Sequence, residues 1–348
     1  MSPGSVPESA IPPHLTVERT RPRRVPDDYA PPYPSFVARN APEVSQVVMA
    51  YLGLQPRGDP PSLDALDAAL AAADGPVHHD RATGDGEIVT AAYWVDPDTF
   101  DRWWAAHRDS WLGDGVRDGH GRWAEIIRPR VEEHETLFSS LGRPEGVAVL
   151  AEGMSGEVVE HAYWGGMRDR IPLSQTDPML GLGAPAAEEE AGRVRVRPPG
   201  GLCLIRSGQD WTDTDGDERR MYLEDVEPVL RAGMEFLRDE GAAVGCFANR
   251  YVTVEGGERS YGMSWWRSLD ALERWSESHP THLAIFGAAM RYLSTLGPAA
   301  RLRLYHEVSV LPVDGQLFEY VDCRRGTGLS VATRTESNAL VSDRLSVR

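Results

Sequence analysis

Apolar positions along the chain fall into two runs of elements separated by a polar stretch. Val47-Val48-Met49-Ala50-Tyr51-Leu52 is a continuous apolar run of strand length. Residues 62–73 place Leu63, Leu66 and Leu70 at helical spacing behind Ser62, a residue suited to cap a first turn. Residues 88–95 predict a strand. Residues 97–111 set Phe100, Trp103, Trp104, His107 and Trp111 along a helical stripe. Residues 131–137 predict another strand, and the apolar runs 147–150 and 158–163 flank a Met154-Ser155-Gly156 turn. Residues 181–200, rich in Gly, Ala, Glu and Pro, predict a loop. The order then recurs: a strand at 202–205, a helix at 217–240, and paired strands at 244–254 and 260–266 around Gly256-Gly257. A helical stretch at 268–296 is broken near Pro280, and a strand follows at 302–311.

The recurrence has a register. Trp94, Trp103, His107, His134 and Glu135 reappear 172 residues later as Trp266, Trp275, His279, His306 and Glu307. The shared order is β-α-β-β-α-β, the split βαβ or ferredoxin-like unit. Two such units side by side predict an α+β fold, with sheets packed face to face or closed into a barrel. The expected division is a Pro-rich arm at 1–40, a first repeat at 41–145 and a connecting segment with hairpin and loop at 146–200. A second repeat at 201–328 and a flexible tail at 329–348 complete it. His282 breaks the correspondence, because the first half has Ser110 there.

A net charge of −17 argues against nucleic acid and anionic membrane surfaces, which call for clustered Lys and Arg. Cys203, Cys246 and Cys323 match no zinc or disulfide spacing, and their odd number suits a reducing compartment. With no signal-peptide core and no apolar run of membrane-spanning length, a soluble cytoplasmic protein is expected.

Candidate chemistry concentrates in Trp275–Leu283 and Leu304–Val310, which hold His279, His282 and His306. Neutral imidazole is both a metal ligand and a base near pH 7. His282 is either packed under the sheet or an axial ligand to a haem or other metal. Alternation places His306 on the apolar face of its strand, so it is either a buried partnered histidine or a general acid facing a pocket. His279 suits a cap for the turn that carries His282. Arg168-Asp169-Arg170 reads as a surface salt-bridge cluster, and Glu188–Glu190 as a solvated loop. Ser207 lacks a nucleophile-elbow setting, and neither a P-loop nor a dinucleotide fingerprint is present.

Longer motifs point further. Arg23–Pro26, Gln46–Gly53, Tyr163–Arg170, Ser174–Asp177, Leu204–Trp211, Glu273–Phe286 and Leu302–Val310 together resemble the aldoxime dehydratases, haem enzymes typified by phenylacetaldoxime dehydratase. The resemblance covers residues 8–328 and lapses over 178–200 and the tail. It implies an α+β barrel of the dimeric type holding haem b, with His282 as iron ligand. It implies His306 as distal acid and base, Arg170 positioning substrate or holding distal charge, Ser207 orienting the oxime hydroxyl, and Glu135 supporting His306 or Arg170. The implied reaction is R–CH=N–OH to R–C≡N plus water, on a homodimer, with the oxime nitrogen on ferrous iron. Trp164, Trp265 and Phe286 would suit arylalkyl substrates. A haem peroxidase or chlorite-dismutase-like oxidoreductase, and a haem carrier or sensor, are the alternative readings.

Overall fold

The computed structural model describes residues 7–116 and 118–331. Its first half runs β1 (Ala38–Arg39), β2 (Val48–Gln55), α1 (Asp64–Leu70), β3 (His78–Gly84), β4 (Glu87–Trp94), α2 (Pro97–Leu112), β5 (Gly121–Ile127) and β6 (His134–Phe138). A connecting region holds β7 (Gly153–Met154), α3 (Gly166–Arg170), β8 (Ala186–Glu190) and β9 (Arg193–Arg197). The second half runs β10 (Leu202–Asp210), α4 (Gly216–Met221), α5 (Glu227–Asp239), β11 (Cys246–Val254), β12 (Arg259–Trp266), α6 (Leu269–Ser278), α7 (Pro280–Leu296), β13 (Arg303–Leu311) and β14 (Leu317–Val321). β3, β5 and β14 were not foreseen from the hydrophobic pattern. Residues 181–200 contain the hairpin β8–β9 rather than a loop alone, and Gly146–Leu150 forms a 3-10 helix.

The fold is α+β. One twelve-stranded antiparallel sheet has the order β6-β13-β10-β12-β11-β3-β4-β2-β5-β14-β9-β8. It curls around a core to which nearly all of these strands contribute, including Tyr51, Tyr93, Trp123, Tyr261, Trp265 and Tyr320. Helices cover the outer faces: α1 and α2 over the first half, α5 and α6 over the second.

The curled interior is not purely apolar. Glu125 is fully buried and accepts from Arg250 Nη1 and Nη2 at 2.9 Å each, from Trp265 Nε1 at 2.7 Å and from Tyr320 Oη at 2.9 Å. Arg250 also bonds Glu87 at 3.1 Å and lies 3.9 Å over the Trp123 ring. Buried ions persist only when so matched, since leaving one unpaired forfeits several kcal/mol. The large side chains need small neighbours. A Cβ on Gly53 would fall 1.7 Å from Trp123, and one on Gly208 would fall 2.1 Å from Tyr305.

The register refines the internal repeat. Val48 faces Trp94 and Cys203 faces Trp266, so β2 and β10 correspond. On their other side Leu52 faces Ala124 and Ser207 faces His306, so β5 and β13 correspond. β6 pairs with β13 of the other half, as β14 pairs with β5. The expected match of His134-Glu135 to His306-Glu307 therefore fails. The 172-residue offset holds from β4 through α2 and then ends, because the following loops differ in length. Glu125 is the counterpart of Glu307, and Ala124 that of His306.

The N-terminal arm lies against the body of the chain. Gln175 receives Val17 N at 3.0 Å and donates to Leu15 O at 2.9 Å. The expected flexible tail falls mostly on residues 332–348, outside those described; at its start, Leu329 is buried and donates its N–H to Tyr320 Oη at 2.9 Å. Replacing Arg250 by Met leaves Glu125 and Glu87 as buried carboxylates with too few donors. Arg250→Met is expected to lose about 3–5 kcal/mol of stability, read as a lowered urea midpoint. A midpoint within error of wild type would show that the interior charges are not a stability determinant.

Candidate active site

The second-half outer face supplies the first part of the site. Ser207 on β10 and His306 on β13 are direct cross-strand partners, so they stand side by side on one face. β6 adds Glu135, opposite Val308 and diagonal to His306, with its Oε1 3.1 Å from His306 Nε2. The Ser207 hydroxyl makes no hydrogen bond among the described residues, and it is half-buried beside the imidazole.

Arg170, at the end of α3, joins this group. It is 3 % exposed. Its Nε donates to Glu135 Oε2 at 2.7 Å and its Nη2 to Oε1 at 3.1 Å. Nη1 donates to the Glu160 carbonyl at 2.6 Å. Nη2 also lies 2.7 Å from His306 Nε2. Burial acts to raise the Glu135 pKa, but Arg170 and His306 outweigh it and hold the carboxyl below its ordinary range.

These contacts set the His306 proton. A guanidinium only donates, so when Nε2 accepts from Arg170 the neutral ring carries its hydrogen on Nδ1. A second proton on Nε2 finds Glu135 waiting at 3.1 Å. The ring is thus anchored through one nitrogen, while the other makes no hydrogen bond among the described residues. The His306 side chain is partly exposed.

His282 approaches from α7. His279 ends α6 and caps α7, its Nδ1 accepting from Thr281 N at 3.4 Å. It stacks on Phe236 at 4.4 Å, an aromatic contact rather than a carboxylate orienting the ring. Pro280 begins the new helix at a position where a missing N–H costs nothing. One turn on, His282 Nδ1 donates to the Ser276 carbonyl at 2.7 Å, which leaves the lone pair on Nε2. Burial lowers the His282 pKa; the Ser276 bond opposes this and the charge of His306 reinforces it. Trp275 lies 4.7 Å and Trp164 6.0 Å from the ring. Trp164, Leu283 and Phe286 are 44 %, 42 % and 41 % exposed, a contiguous apolar surface around an available imidazole nitrogen.

The surface reading of Arg168-Asp169-Arg170 is overturned. Asp169 is buried and accepts from Arg24 N at 2.8 Å, Val25 N at 3.1 Å and Tyr163 Oη at 2.8 Å. Arg168 reaches α6. Trp265, considered for the pocket, points instead into the curled sheet and bonds Glu125. Sequence reasoning missed the Glu160 carbonyl and the Ser276 carbonyl, since backbone acceptors leave no side-chain signature. It also missed His161, whose two ring nitrogens are buried without partners beside Arg170, its pKa pushed down to about 4 by burial and by Arg170. His134 Nδ1 is likewise unpartnered and lines a cavity of about 40 Å³ behind Glu135 and Arg170.

Known proteins share this arrangement of chain. The sequence model of the haem-containing dehydratases matches residues 50–329. The aliphatic aldoxime dehydratase of Rhodococcus globerulus is 46 % identical over 345 residues, covering 92 % of this chain and 97 % of that one. The phenylacetaldoxime dehydratase of a Bacillus species is 32 % identical, covering 88 % and 93 %. A crystal structure of an aldoxime dehydratase in complex with butyraldoxime superposes with a TM-score of 0.88 at 43 % identity, covering 94 % of this chain and 98 % of that one.

Burial, partly offset by a backbone hydrogen bond at Arg130 and by Glu135, pushes the His134 pKa down to about 4. The unfolded chain, with an ordinary histidine near 6.5, binds more protons between those two values. Stability therefore falls as pH is lowered from about 6.5 to about 4 and levels off below. His134→Gln is expected to remove this contribution, worth about 3 kcal/mol at its full extent and nothing at pH 7. Urea midpoints at pH 7 and pH 5 check it; an unchanged slope against pH would contradict the assignment.

Proposed function

The chain belongs to the haem-containing dehydratase family, and we infer that it converts aldoximes to nitriles at the site formed by His282, His306, Arg170, Glu135 and Ser207. The observation that carries this reading is a pair of unlike histidines, near enough that the charge of His306 helps lower the His282 pKa. One has a free Nε2 and no carboxylate partner; the other is clamped by a guanidinium and a carboxylate.

The donor set fits haem. Among the described residues no group of three or more His, Cys, Asp or Glu could hold a bare metal ion. A lone histidine instead suits a macrocycle that brings its own equatorial nitrogens. The apolar surface of Trp164, Leu283 and Phe286 suits a flat apolar partner. We take the group to be haem b, ferrous in the working state, with His282 Nε2 as its protein ligand. When bound, it supplies an iron that takes up the oxime nitrogen and weakens the N–O bond.

The chain's own residues then move two protons. Hydroxide leaves poorly, so the oxime oxygen must be protonated before N–O cleavage. His306, as imidazolium, gives its Nδ1 proton to that oxygen, and water departs. The Nε2–H stays on Glu135, whose charge stabilises the cation. The bare Nδ1 then takes the C–H proton, and the freed electron pair completes the carbon–nitrogen triple bond. Ser207, beside His306, donates to or orients the hydroxyl. Arg170 holds Glu135 in place and keeps the carboxylate ionised, and its Nη2 donates to His306 Nε2 when the neutral ring carries its hydrogen on Nδ1.

We propose alkyl aldoximes as the preferred substrates. The relatives called aliphatic are 43–46 % identical, against 32 % for the phenylacetaldoxime enzyme. Trp265, which would have favoured an aryl group, lies inside the sheet. We read each half as a ferredoxin-like unit and keep the division at 40, 145, 200 and 328. The free cysteines are in keeping with a cytoplasmic setting. A homodimer completes the proposal, and sedimentation of the holoprotein tests it. A haem carrier or sensor would leave the clamp on His306 without a task.

His282→Ala is expected to abolish haem retention, seen as loss of the Soret band at equal protein. His306→Ala is expected to keep haem and lose dehydration by about 10²-fold or more, the usual contribution of a general acid. Ser207→Ala is expected to lower kcat with haem retained. Full haem occupancy in the first variant, or near-normal nitrile formation in the second, would overturn the corresponding role.

A further inference from the structure

Arg168 is the most heavily satisfied cation near the site, yet it touches none of the groups assigned there. Its Nε lies 3.1 Å from both Glu273 oxygens, its Nη2 lies 2.7 Å from Glu273 Oε2 and 2.5 Å from Asp270, and its Nη1 donates to Pro178 O at 3.0 Å. Glu273 is almost fully buried. This bidentate clasp joins α3 to α6.

The two helices lead to the two groups of residues assigned to the site. Two residues beyond Arg168, Arg170 holds His306 and Glu135. One turn beyond Glu273, the Ser276 hydroxyl donates to the Glu273 carbonyl at 2.8 Å, and the Ser276 carbonyl accepts from His282 at 2.7 Å. A continuous path of short links thus runs from the acid side to the iron-ligand side: His306, Arg170, Arg168, Glu273, Ser276, His282. Each link is short, charge-assisted or backbone-anchored, and most of it is buried, so solvent offers no substitute partner.

We propose that Arg168 and Glu273 are positioning residues that fix the proton-donating face and the iron ligand relative to one another. The proposal rests on the roles inferred above for His282 and His306. The oxime must meet iron at nitrogen and a proton at oxygen at once, and these atoms are adjacent. A displacement of about 1 Å between the two sides can cost on the order of 10²-fold in rate. Covalent α3 geometry passes any shift of Arg168 to Arg170. The α6 turn passes any shift of Glu273 to Ser276, and so to the orientation and basicity of His282.

The test uses the holoenzyme in four forms: wild type, Glu273→Gln, Glu273→Asp and Asp270→Asn. Glu273→Gln is expected to bind haem stoichiometrically. It should lower kcat by about tenfold or more with KM within about twofold, and shift both the visible spectrum and the iron midpoint potential. Glu273→Asp should restore part of each change. Asp270 is partly exposed, so Asp270→Asn folds without stranding a buried charge and should show smaller changes in the same direction. Wild-type kcat and potential in both Glu273→Gln and Asp270→Asn, or a change confined to thermal stability, would overturn the proposal. If instead His282→Ala kept its haem, the ligand assignment would fall, and that result is read independently of Glu273.

Discussion

A guanidinium with almost no contact with water must find an acceptor for each donor edge, and the site is organised around that demand. Arg170 meets it with Glu135 on two edges, the Glu160 carbonyl on a third and His306 on the remaining direction. Each acceptor comes from a different stretch of chain: β6, the segment before α3, and β13. One buried charge therefore fixes the relative position of three segments far apart in sequence. Leaving it underpaired would cost several kcal/mol, so the arrangement is enforced rather than merely allowed. The same solution recurs inside the sheet, where Arg250 gathers Glu125 and Glu87, and Arg206 gathers Asp80 and Tyr93.

The corresponding strands show what separates a site from a core. Leu52, Ala124 and Leu317 occupy the positions on the β2-β5-β14 face that match Ser207, His306 and Glu135 on the β10-β13-β6 face. The first set belongs to the apolar cluster filled by Trp94, Phe100, Trp103 and Trp111 under α2. α2 runs unbroken from Pro97 to Leu112. Its counterpart is cut at His279-Pro280, and the cut turns His282 toward the sheet and frees the Ser276 carbonyl to orient it. One scaffold face is sealed by packing, and the other is opened by three polar substitutions and one proline.

Much of this was legible in the sequence. The tryptophan and histidine spacing exposed the recurrence, the Pro280 break was foreseen, and the absence of a first-half equivalent singled out His282. The failures have physical causes. The repeat was extended through His134-Glu135 because a fixed offset cannot see loops of unequal length, and β6 pairs across the halves. β5 and β14 were passed over because Glu125 on the inner face and Arg122 and Glu319 on the outer one interrupt their apolar residues and hide the alternation. Arg168-Asp169-Arg170 looked like a solvated cluster because charge in sequence does not reveal burial. Only the fold brings Glu273, Asp270 and the N-terminal arm to it.

His306 and Glu307 are neighbours on one strand, and the pleat sends them to opposite sides. Glu307 faces the closed interior, receives Val147 N at 2.5 Å and stands 3.4 Å from Tyr51 Oη. Burial raises its pKa to about 7, although Arg206, Val147 and Tyr51 act against that rise. His306 faces the outer side beside an ionised carboxylate and an arginine, with one ring nitrogen making no hydrogen bond among the described residues. Adjacent ionisable residues thus stand in unrelated surroundings. One belongs to the packing of the interior, and the other stands on the opposite face beside Arg170 and Glu135. The strand keeps these two surroundings apart by the direction of a side chain alone. A one-residue slip in the pairing of β13 with β10 would exchange them, which is why Gly208, the only residue small enough to admit Tyr305, matters to a site it never touches.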